Sequence, residues 1–373
     1  MNPLLELQKQ GQSIWLDYIS RGLIAGGTLQ SMIENDGLRG VTSNPSIFEK
    51  AIDAGTDYDA RIAELPARNP EMEAREIYDE LVIEDVRSAA DVLRPWYEKS
   101  GGADGFVSLE PPPQLTRDTG ATLMEARRLW QTVNRPNLMI KVVATPEGVQ
   151  AVDTLISEGI NVNITLMFSL QHYEAVTSAY LRGLEHCSRP ERVASVASFF
   201  ISRVDTHVDK ALEANGSSEA LALRGRIAIA NAKLVYRRFR EIFHGGAFSA
   251  LRNRGARVQR PLWASTSTKN PRYRDVLYVE ELIGPETVNT LPLATLEAFR
   301  DHGRVRGASV LDGWTEAEQE IGKLAGLGID LNAVAERLQI DGVNSFAEAY
   351  GKVMAALQRK REGMIRVRRS SGV

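Results

Sequence analysis

The stretch LMIKVV (Leu138–Val143) contains five apolar residues and one lysine. A short apolar run without polar alternation is typical of a strand buried on both faces, as in a parallel sheet covered by helices. Lys141 is unusual there, because burial disfavours the charged form of a lysine and favours the free amine. A free amine can form a Schiff base with a carbonyl substrate. The alternative is a structural lysine that reaches solvent or pairs with a carboxylate.

Short apolar or β-branched runs recur along the chain, separated by longer segments with helical spacing of apolar residues. Alternation of strand and helix requires parallel pairing through right-handed crossovers, and eight strands of this kind predict an α/β fold, a (β/α)8 TIM barrel. The rival is a doubly wound sheet, but Gly26-Gly27 lacks the spacing of its glycine-rich turn. The expected strands are 13–16, 40–42, 105–109, 138–143, 161–167, 193–200, 258–264 and 287–291.

The length of 373 residues fits either one barrel with insertions or two domains. We expect a single domain over residues 1–373, because the segment between Phe48 and Gly105 shows no change in composition and is better explained by inserted helices. Helices from about residue 314 should pack on the barrel. Ser345 and Glu348 have the spacing of a capping box, which predicts a helix start in front of an apolar stripe that begins at Phe346.

The composition favours an ordinary soluble globular protein, with 43% hydrophobic residues, 25% charged residues and a formal net charge of -3. This charge provides no basic field, so nucleic acid and anionic membranes are poor partners. The single cysteine, Cys187, excludes an intramolecular disulfide and lies in a segment that reads as an exposed helix end. With no apolar run long enough to cross a bilayer, we expect a cytoplasmic protein. A basic C-terminal tail reads as a solvated terminus; its residues are Arg359, Lys360, Arg361, Arg366, Arg368 and Arg369.

Polar side chains follow most of the expected strands, at the end of a barrel where reactive groups gather. Asp17 alone could be a helix cap, Asn44 a turn residue, and Thr165 a partner for a backbone group. Together, however, one amine, two carboxylates, two amides and several hydroxyls around one opening suit carbon–carbon bond cleavage through an imine. The strand-end residues are Asp17, residues 42–46, Glu110, Lys141, Asn163, Thr165, residues 198–203 and residues 264–271.

Two segments resemble a known family. GVTSNPSIF (residues 40–48) resembles the N-terminal signature of the transaldolases, and LMIKVVATPEGVQAV (residues 138–152) resembles their Schiff-base lysine signature. The similarity continues through residues 163–165 and 198–203, so it spans the barrel. The resemblance implies transfer of a dihydroxyacetone unit from sedoheptulose 7-phosphate or fructose 6-phosphate to glyceraldehyde 3-phosphate or erythrose 4-phosphate, in the pentose phosphate pathway.

The resemblance also implies roles for the reactive groups. Lys141 corresponds to the imine-forming lysine, and Asp17 to the aspartate that takes a proton from the C4 hydroxyl and later returns it. Glu110 and Thr165 correspond to the pair that holds a water molecule for proton transfer. No metal and no organic cofactor is implied, because the imine itself draws electrons from the bond that breaks.

The substrate-binding residues follow from the same resemblance. Asn44 and Asn163 correspond to amides that bind hydroxyls of the three-carbon unit, Ser198 to a hydroxyl that contacts substrate, and Arg203 to a phosphate-binding arginine. Phe200 occupies a position where transaldolases have Phe and the related fructose-6-phosphate aldolases have Tyr. Glu110 makes the same distinction, since those aldolases have Gln.

The chain departs from the family after the seventh strand. Ser265 matches a substrate-contacting serine, but the arginine expected shortly after it is missing. Lys269 can supply a positive charge there, although without a guanidinium fork, or it can belong to a solvated loop.

Three other functions remain open. They are a lyase that releases free dihydroxyacetone, a pyridoxal-phosphate enzyme with a Schiff-base lysine, and a sugar-phosphate sensor without catalysis. The expected partners are small sugar phosphates, and the oligomeric state is left open.

Overall fold

The computed structural model describes residues 2–370, and the side chains among them except those at 53–54 and 364–370. Eight strands pair in sequence order, all in parallel, and β8 pairs with β1 to close a barrel. The predicted (β/α)8 barrel is therefore confirmed, and the expected strand limits differ from the observed ones by at most two residues. The strands are β1 Gln12–Leu16, β2 Leu38–Thr42, β3 Phe106–Leu109, β4 Leu138–Val143, β5 Val162–Met167, β6 Ser195–Phe200, β7 Arg260–Ala264 and β8 Thr287–Leu291.

Helices surround the barrel. They are α1 Pro3–Lys9, α2 Arg21–Ala25, α3 Thr28–Asn35, α4 Pro45–Ala54, α5 Asp59–Arg68, α6 Ala74–Lys99, α7 Thr119–Val133, α8 Pro146–Ser157, α9 Leu170–His186, α10 Ser202–Asn215, α11 Ser218–Ala222, α12 Ile227–His244, α13 Ser249–Asn253, α14 Leu277–Glu281, α15 Leu293–His302, α16 Trp314–Gly326 and α17 Leu331–Ser370. Short 3₁₀ turns occupy Pro113–Leu115, Pro190–Arg192, Gly246–Phe248 and Ser309–Leu311.

Several crossovers begin with a capping side chain directly after a strand. Asn44, Thr145 and Ser169 each accept a hydrogen bond from a backbone N–H in the first turn of α4, α8 and α9. Such caps satisfy backbone donors that a helix leaves open at its N-terminus. Each of these helices therefore starts within a few residues of the strand end, which keeps the loops at the carboxyl end of the barrel short.

The segment between β2 and β3 contains the predicted insertion, with α5 and the long helix α6. Apolar residues at helical spacing along α6, including Tyr78, Val82, Val86 and Leu93, are buried. Arg21 joins this insertion to the barrel through an ion pair with Asp85 at 2.9 Å. The insertion is thus packed helix rather than a linker.

The C-terminal helix begins earlier than the sequence indicated. Ser345 and Glu348 lie well inside α17, so the predicted capping box is wrong. Residues three apart share one face of any helix, and Glu348 instead pairs with Lys352 at 2.8 Å. The apolar stripe itself is confirmed, because Phe346, Tyr350, Val353 and Leu357 are all buried.

Two further expectations need correction. Cys187 does end a helix, but it is buried rather than exposed, and Arg254 donates a hydrogen bond to its carbonyl oxygen. In the basic tail, Lys360 pairs with Asp59 at 2.5 Å and Arg361 donates to the carbonyl of Pro70 at 3.0 Å. These two side chains are anchored because α17 continues along α5. The side chains of Arg366, Arg368 and Arg369 lie outside the described residues.

No helix within residues 2–370 is both long enough and apolar enough to cross a membrane.

Inside the barrel, Gly40 on β2 makes room for Trp15 on β1. A Cβ atom at residue 40 would lie 2.4 Å from the Trp15 ring, which is fully buried and donates its indole N–H to Asp104 at 2.9 Å. The 2.4 Å distance is far shorter than a normal van der Waals contact, so the ring or strand β2 would have to shift.

We therefore expect Gly40→Ala to lower the free energy of unfolding by roughly 1–3 kcal/mol, the usual cost of overpacking a core. Urea or guanidinium unfolding measures it. Gly322→Ala is the matched control, because residue 322 is exposed in α16 and a Cβ there meets no atom within 4 Å. The control should be neutral or stabilising. Equal stability of Gly40→Ala and wild type would contradict the packing described for Trp15.

Candidate active site

The barrel brings the candidate residues to its carboxyl-terminal opening. Lys141 lies on β4 in register with Asn163 on β5, and Thr165 follows on the same face of β5. Asp17 directly follows β1, where its backbone N–H donates to Leu291 on β8. Glu110 directly follows β3. The chain thus assembles one amine and two carboxylates from strands that are far apart in sequence.

Lys141 is buried, with 6% of its side chain exposed. Its Nζ donates a hydrogen bond to the carbonyl oxygen of Ser43 at 3.1 Å and lies 3.5 Å from Glu110 Oε2. The ring centroid of Phe346, on α17, lies 5.9 Å from the same nitrogen. Lys141 therefore does pair with a carboxylate, but it does so inside the barrel and does not reach solvent.

Glu110 is equally buried, with 5% of its side chain exposed. Burial raises the pKa of its carboxyl group, and the neighbouring Lys141 opposes that shift. One oxygen, Oε1, has no hydrogen-bond partner among the residues that the structure describes, and the same holds for Thr165 Oγ1. Buried polar atoms are normally hydrogen-bonded, so these two atoms are available to a small polar molecule.

Asp17 accepts a hydrogen bond from Thr42 Oγ1 at 2.8 Å. Thr42 Oγ1 also lies 2.7 Å from Thr290 Oγ1, and since Thr42 gives its proton to Asp17, Thr290 must be the donor in that pair. Burial raises the pKa of Asp17, and the charge on Lys141 opposes the rise. The hydroxyl groups of Thr42 and Thr290 therefore hold Asp17 in place, and its carboxyl group interacts electrostatically with the Lys141 amine.

Asn163 belongs to a buried polar chain across the barrel. Ser198 Oγ donates to Asn163 Oδ1 at 2.6 Å, and Asn163 Nδ2 donates to Ser108 Oγ at 3.0 Å. Asn44 caps α4 by accepting from the backbone N–H of Ile47 at 3.3 Å. Asn44 is therefore a helix cap and not a turn residue, and the cap uses its side-chain oxygen.

A cationic group lines another side of the opening. The Arg203 guanidinium lies 5.2 Å from the centroid of the Phe200 ring. Burial lowers the pKa of Lys269, and the nearby positive charges of Arg203 and Lys50 lower it further, while Asp17 opposes them. Lys269 Nζ donates to Ser267 Oγ at 2.8 Å. The Lys269 side chain is exposed, as expected of a loop residue, but its charge is coupled to those of Arg203 and Asp17 at the opening.

Two strands leave the barrel through a strained backbone at this end. Leu166 on β5 has φ 60° and Ser265 after β7 has φ 56°. Non-glycine residues with positive φ are uncommon and concentrate at functional sites. Ser265 Oγ lies 2.9 Å from Ser202 Oγ, and the Ser265 carbonyl accepts from the Ser202 backbone N–H at 3.1 Å. These bonds tie the β7 loop to the start of α10, which carries Arg203.

Five residues near the site were not predicted from the sequence: four contact Asp17, Lys141 or their partners, and Lys50 acts only through its charge near Lys269. Thr42 and Ser43 stand inside a quoted motif, and the strand-end position of Thr290 was a usable signal. Ser43 contributes through its carbonyl oxygen, however, which any residue type provides. Lys50 and Phe346 gave no signal, since one reads as a surface charge and the other as part of an apolar helix stripe.

A cavity of about 800 Å³ lies at the other end of the barrel, lined in part by Trp15, Trp96, Arg39 and Arg260. It lies on the side away from Lys141, because Arg39 and Arg260 stand at the amino-terminal ends of β2 and β7 and the Trp15 indole donates to Asp104, which precedes β3. Within residues 2–370, no three His, Cys, Asp or Glu side chains are grouped so that they could hold a metal ion.

Comparison with known proteins shows the family of the chain. The family model described as Transaldolase/Fructose-6-phosphate aldolase matches residues 14–357. A transaldolase from Thiobacillus denitrificans is 49% identical over 361 residues, which cover 96% of this chain and 100% of that protein. A transaldolase from Mycobacterium marinum is 47% identical over 363 residues, 96% and 97% of the two chains. Transaldolase 1 from Streptomyces coelicolor is 47% identical over 358 residues, 95% and 93% of the two chains. The chain therefore belongs to the transaldolase/fructose-6-phosphate aldolase family and is an enzyme of the transaldolase type.

Proposed function

We propose that this enzyme transfers a dihydroxyacetone unit from a ketose phosphate to an aldose phosphate through a Schiff base on Lys141. The donors are sedoheptulose 7-phosphate or fructose 6-phosphate, and the acceptors are glyceraldehyde 3-phosphate or erythrose 4-phosphate. The observation that carries the proposal is a buried lysine with a carboxylate 3.5 Å from its amine and a second carboxylate at the same opening. One buried amine and two carboxylates at the same opening are more typical of an active site than of residues that only stabilise the barrel.

The first step is imine formation. The neutral Lys141 amine attacks the C2 carbonyl of the ketose, and the resulting carbinolamine loses water to give a protonated imine. This exchange needs a proton relay next to the nitrogen. Glu110 Oε1 and Thr165 Oγ1 are both buried and have no hydrogen-bond partner among the described residues, which fits a pair that binds a relay water molecule.

The second step breaks the C3–C4 bond. Asp17 takes the proton from the C4 hydroxyl, the electron pair of the C3–C4 bond moves into the protonated imine, and an aldose phosphate leaves. The remaining three-carbon enamine attacks the aldehyde of the acceptor, and Asp17 returns the proton to the new hydroxyl. Water then adds to the imine carbon of the product, and the carbinolamine breaks its C–N bond to release the product ketose and the free Lys141 amine. The hydroxyl chain from Thr290 through Thr42 supports this role, because it fixes the carboxylate in one orientation.

Substrate binding completes the proposal. Asn44, Asn163 and Ser198 bind hydroxyls of the three-carbon unit, while Phe200 and Ser265 line the site. Arg203 and Lys269 bind the phosphate, supported by their mutual electrostatic influence at one side of the opening. Lys269 then replaces the missing family arginine as a point charge without bidentate geometry.

The second candidate is a lyase that releases dihydroxyacetone to water, because the matching family model covers both activities. Glu110 and Phe200 argue against it, since the aldolases of this family have Gln and Tyr at these positions. A comparison of acceptor-dependent transfer with free dihydroxyacetone release distinguishes the two activities. Purified protein without visible absorbance removes the pyridoxal-phosphate alternative, and measurable turnover removes the sensor.

The setting is also proposed. We place the reaction in the non-oxidative pentose phosphate pathway, in the cytoplasm, with residues 1–373 acting as one catalytic domain without metal or organic cofactor. Small sugar phosphates are the expected partners, and neither nucleic acid nor membrane is required.

Borohydride reduction with fructose 6-phosphate should attach a three-carbon unit to Lys141, detected by peptide mass spectrometry. Lys141→Ala should abolish both the adduct and transfer, because no other amine replaces the nucleophile. Lys99→Ala is the control, since Lys99 lines the cavity at the opposite end of the barrel. An unchanged adduct in Lys141→Ala would show that the proposed chemistry is wrong.

Asp17→Asn should separate imine formation from bond cleavage. The variant keeps the hydrogen bond from Thr42 but cannot accept the C4 proton, so transfer should fall by about 10²–10⁴-fold. Reduction with borohydride should then trap the intact six-carbon sugar on Lys141. A three-carbon adduct formed at the wild-type rate would rule out Asp17 as the base.

Lys269→Met should weaken the binding of phosphorylated acceptors, with a rise in KM of roughly tenfold, the usual effect of losing a hydrogen bond to a charged group. It should also move the acid limb of the kcat/KM profile to higher pH. Asp17 works as a base only above its pKa, and Lys269 is one of the charges that lower that pKa. Arg272→Met, an exposed change on the same loop, is the control. Wild-type KM and pH profile in Lys269→Met would contradict this assignment.

A further inference from the structure

The helix α17 crosses the carboxyl-terminal opening of the barrel and is attached to it by a buried amide. Gln339 Nε2 donates to the carbonyl oxygen of Ala144 at 2.9 Å and to that of Leu166 at 3.1 Å. Ala144 directly follows the strand that carries Lys141, and Leu166 directly follows Thr165. Both hydrogen atoms of one amide therefore bind the ends of the two strands that carry the reactive groups.

A glycine lets α17 come close to these strand ends. A Cβ atom at Gly342 would lie 2.9 Å from Leu166 Cδ2 and 3.3 Å from Arg203 Nη1. A second bond helps to fix the helix, since His172 Nε2 lies 2.8 Å from Glu336 Oε1. The helix is thus a packed part of the opening.

Phe346 follows Gln339 by seven residues, two helical turns, and so lies on the same face of α17. Its side chain is buried at 5% exposure, and its ring centroid is 5.9 Å from Lys141 Nζ. The other contacts of that nitrogen, the Ser43 carbonyl and Glu110, are polar and come from the barrel. Phe346 therefore places an apolar ring next to the Lys141 amine, and this ring comes from a helix outside the barrel.

We infer that Phe346 is a positioning residue that shields the Lys141 imine from water and so commits the three-carbon unit to transfer. The inference rests on the proposed Schiff-base function. It adds a residue that determines whether the three-carbon intermediate is transferred to an acceptor or hydrolysed. Exclusion of water is a general way to protect a reactive intermediate from hydrolysis.

The competing reaction is hydrolysis of the three-carbon intermediate. After cleavage, the enamine takes a proton at carbon from the protonated Asp17 and becomes the imine of dihydroxyacetone. A solvent water molecule adds to the imine carbon, and the carbinolamine breaks its C–N bond to release dihydroxyacetone and the Lys141 amine. In transfer, the enamine carbon attacks the acceptor aldehyde instead. The water supply at the imine therefore sets the partition between release and transfer.

The test measures this partition in wild type, Phe346→Ala and Phe346→Leu, with fructose 6-phosphate as donor and erythrose 4-phosphate as acceptor. The ratio of free dihydroxyacetone to sedoheptulose 7-phosphate should rise about tenfold in Phe346→Ala, a modest change in relative barriers. It should stay near the wild-type ratio in Phe346→Leu, which keeps an apolar side chain of substantial size. Val353→Ala is the matched control, because it truncates a fully buried residue on the same helix away from Lys141.

The same ratio in Phe346→Ala and Val353→Ala would overturn the inference. If Phe346→Ala does not fold, Gln339→Met decides, since it keeps the Phe346 side chain but removes both hydrogen bonds that hold the helix, and so the ring, in position over Lys141. A raised ratio in Gln339→Met supports shielding by a positioned helix, and an unchanged ratio overturns it. Failure of the proposed function is distinguishable, because wild type would then give neither transfer nor a trapped adduct.

Discussion

The site depends on a pair of ionisable groups, Lys141 and Glu110, held inside the barrel at 3.5 Å from one another. Taking both groups out of water is costly, and removal of one partner from such a pair commonly destabilises a protein by about 3–5 kcal/mol. The Ser43 carbonyl offsets part of this cost by accepting a hydrogen bond from the amine. Lys141 lies on β4, Glu110 follows β3 and Ser43 follows β2. These three strands must therefore be paired before the site can form.

The fold was largely predictable because its signal is local. Runs such as Leu138–Val143 have no polar alternation, and helical spacing follows most of them, which leaves parallel pairing as the simple solution. Two wrong predictions concern the helix cap at Ser345 and the exposure of Cys187, where the same sequence pattern occurs in two different structural environments. Ser345 and Glu348 have the spacing of a cap and also of neighbours inside a helix, and Cys187 stands between polar residues although Arg254 and the following turn cover it.

The candidate site was predictable as a group of strand-end residues, because a barrel gathers those ends at one opening. Residues that arrive from elsewhere were not predictable. Phe346 reaches Lys141 from a helix that begins almost two hundred residues later in the chain, and the same apolar stripe packs other residues against the barrel. Ser43 acts through its backbone, so its side chain carries no information. Lys269 was ambiguous in sequence, and although its side chain is exposed, its electrostatic coupling to Arg203 and Asp17 favours a binding role.

The central claim is that the buried amine of Lys141 becomes covalently bound to the substrate carbon. A crystal structure of the enzyme reduced with borohydride in the presence of fructose 6-phosphate tests it most directly. We expect continuous density from Lys141 Nζ to the middle carbon of a three-carbon unit, with Asp17 and Glu110 on the two sides of it. A ligand bound without a bond to Lys141, or an adduct on another lysine, would contradict it.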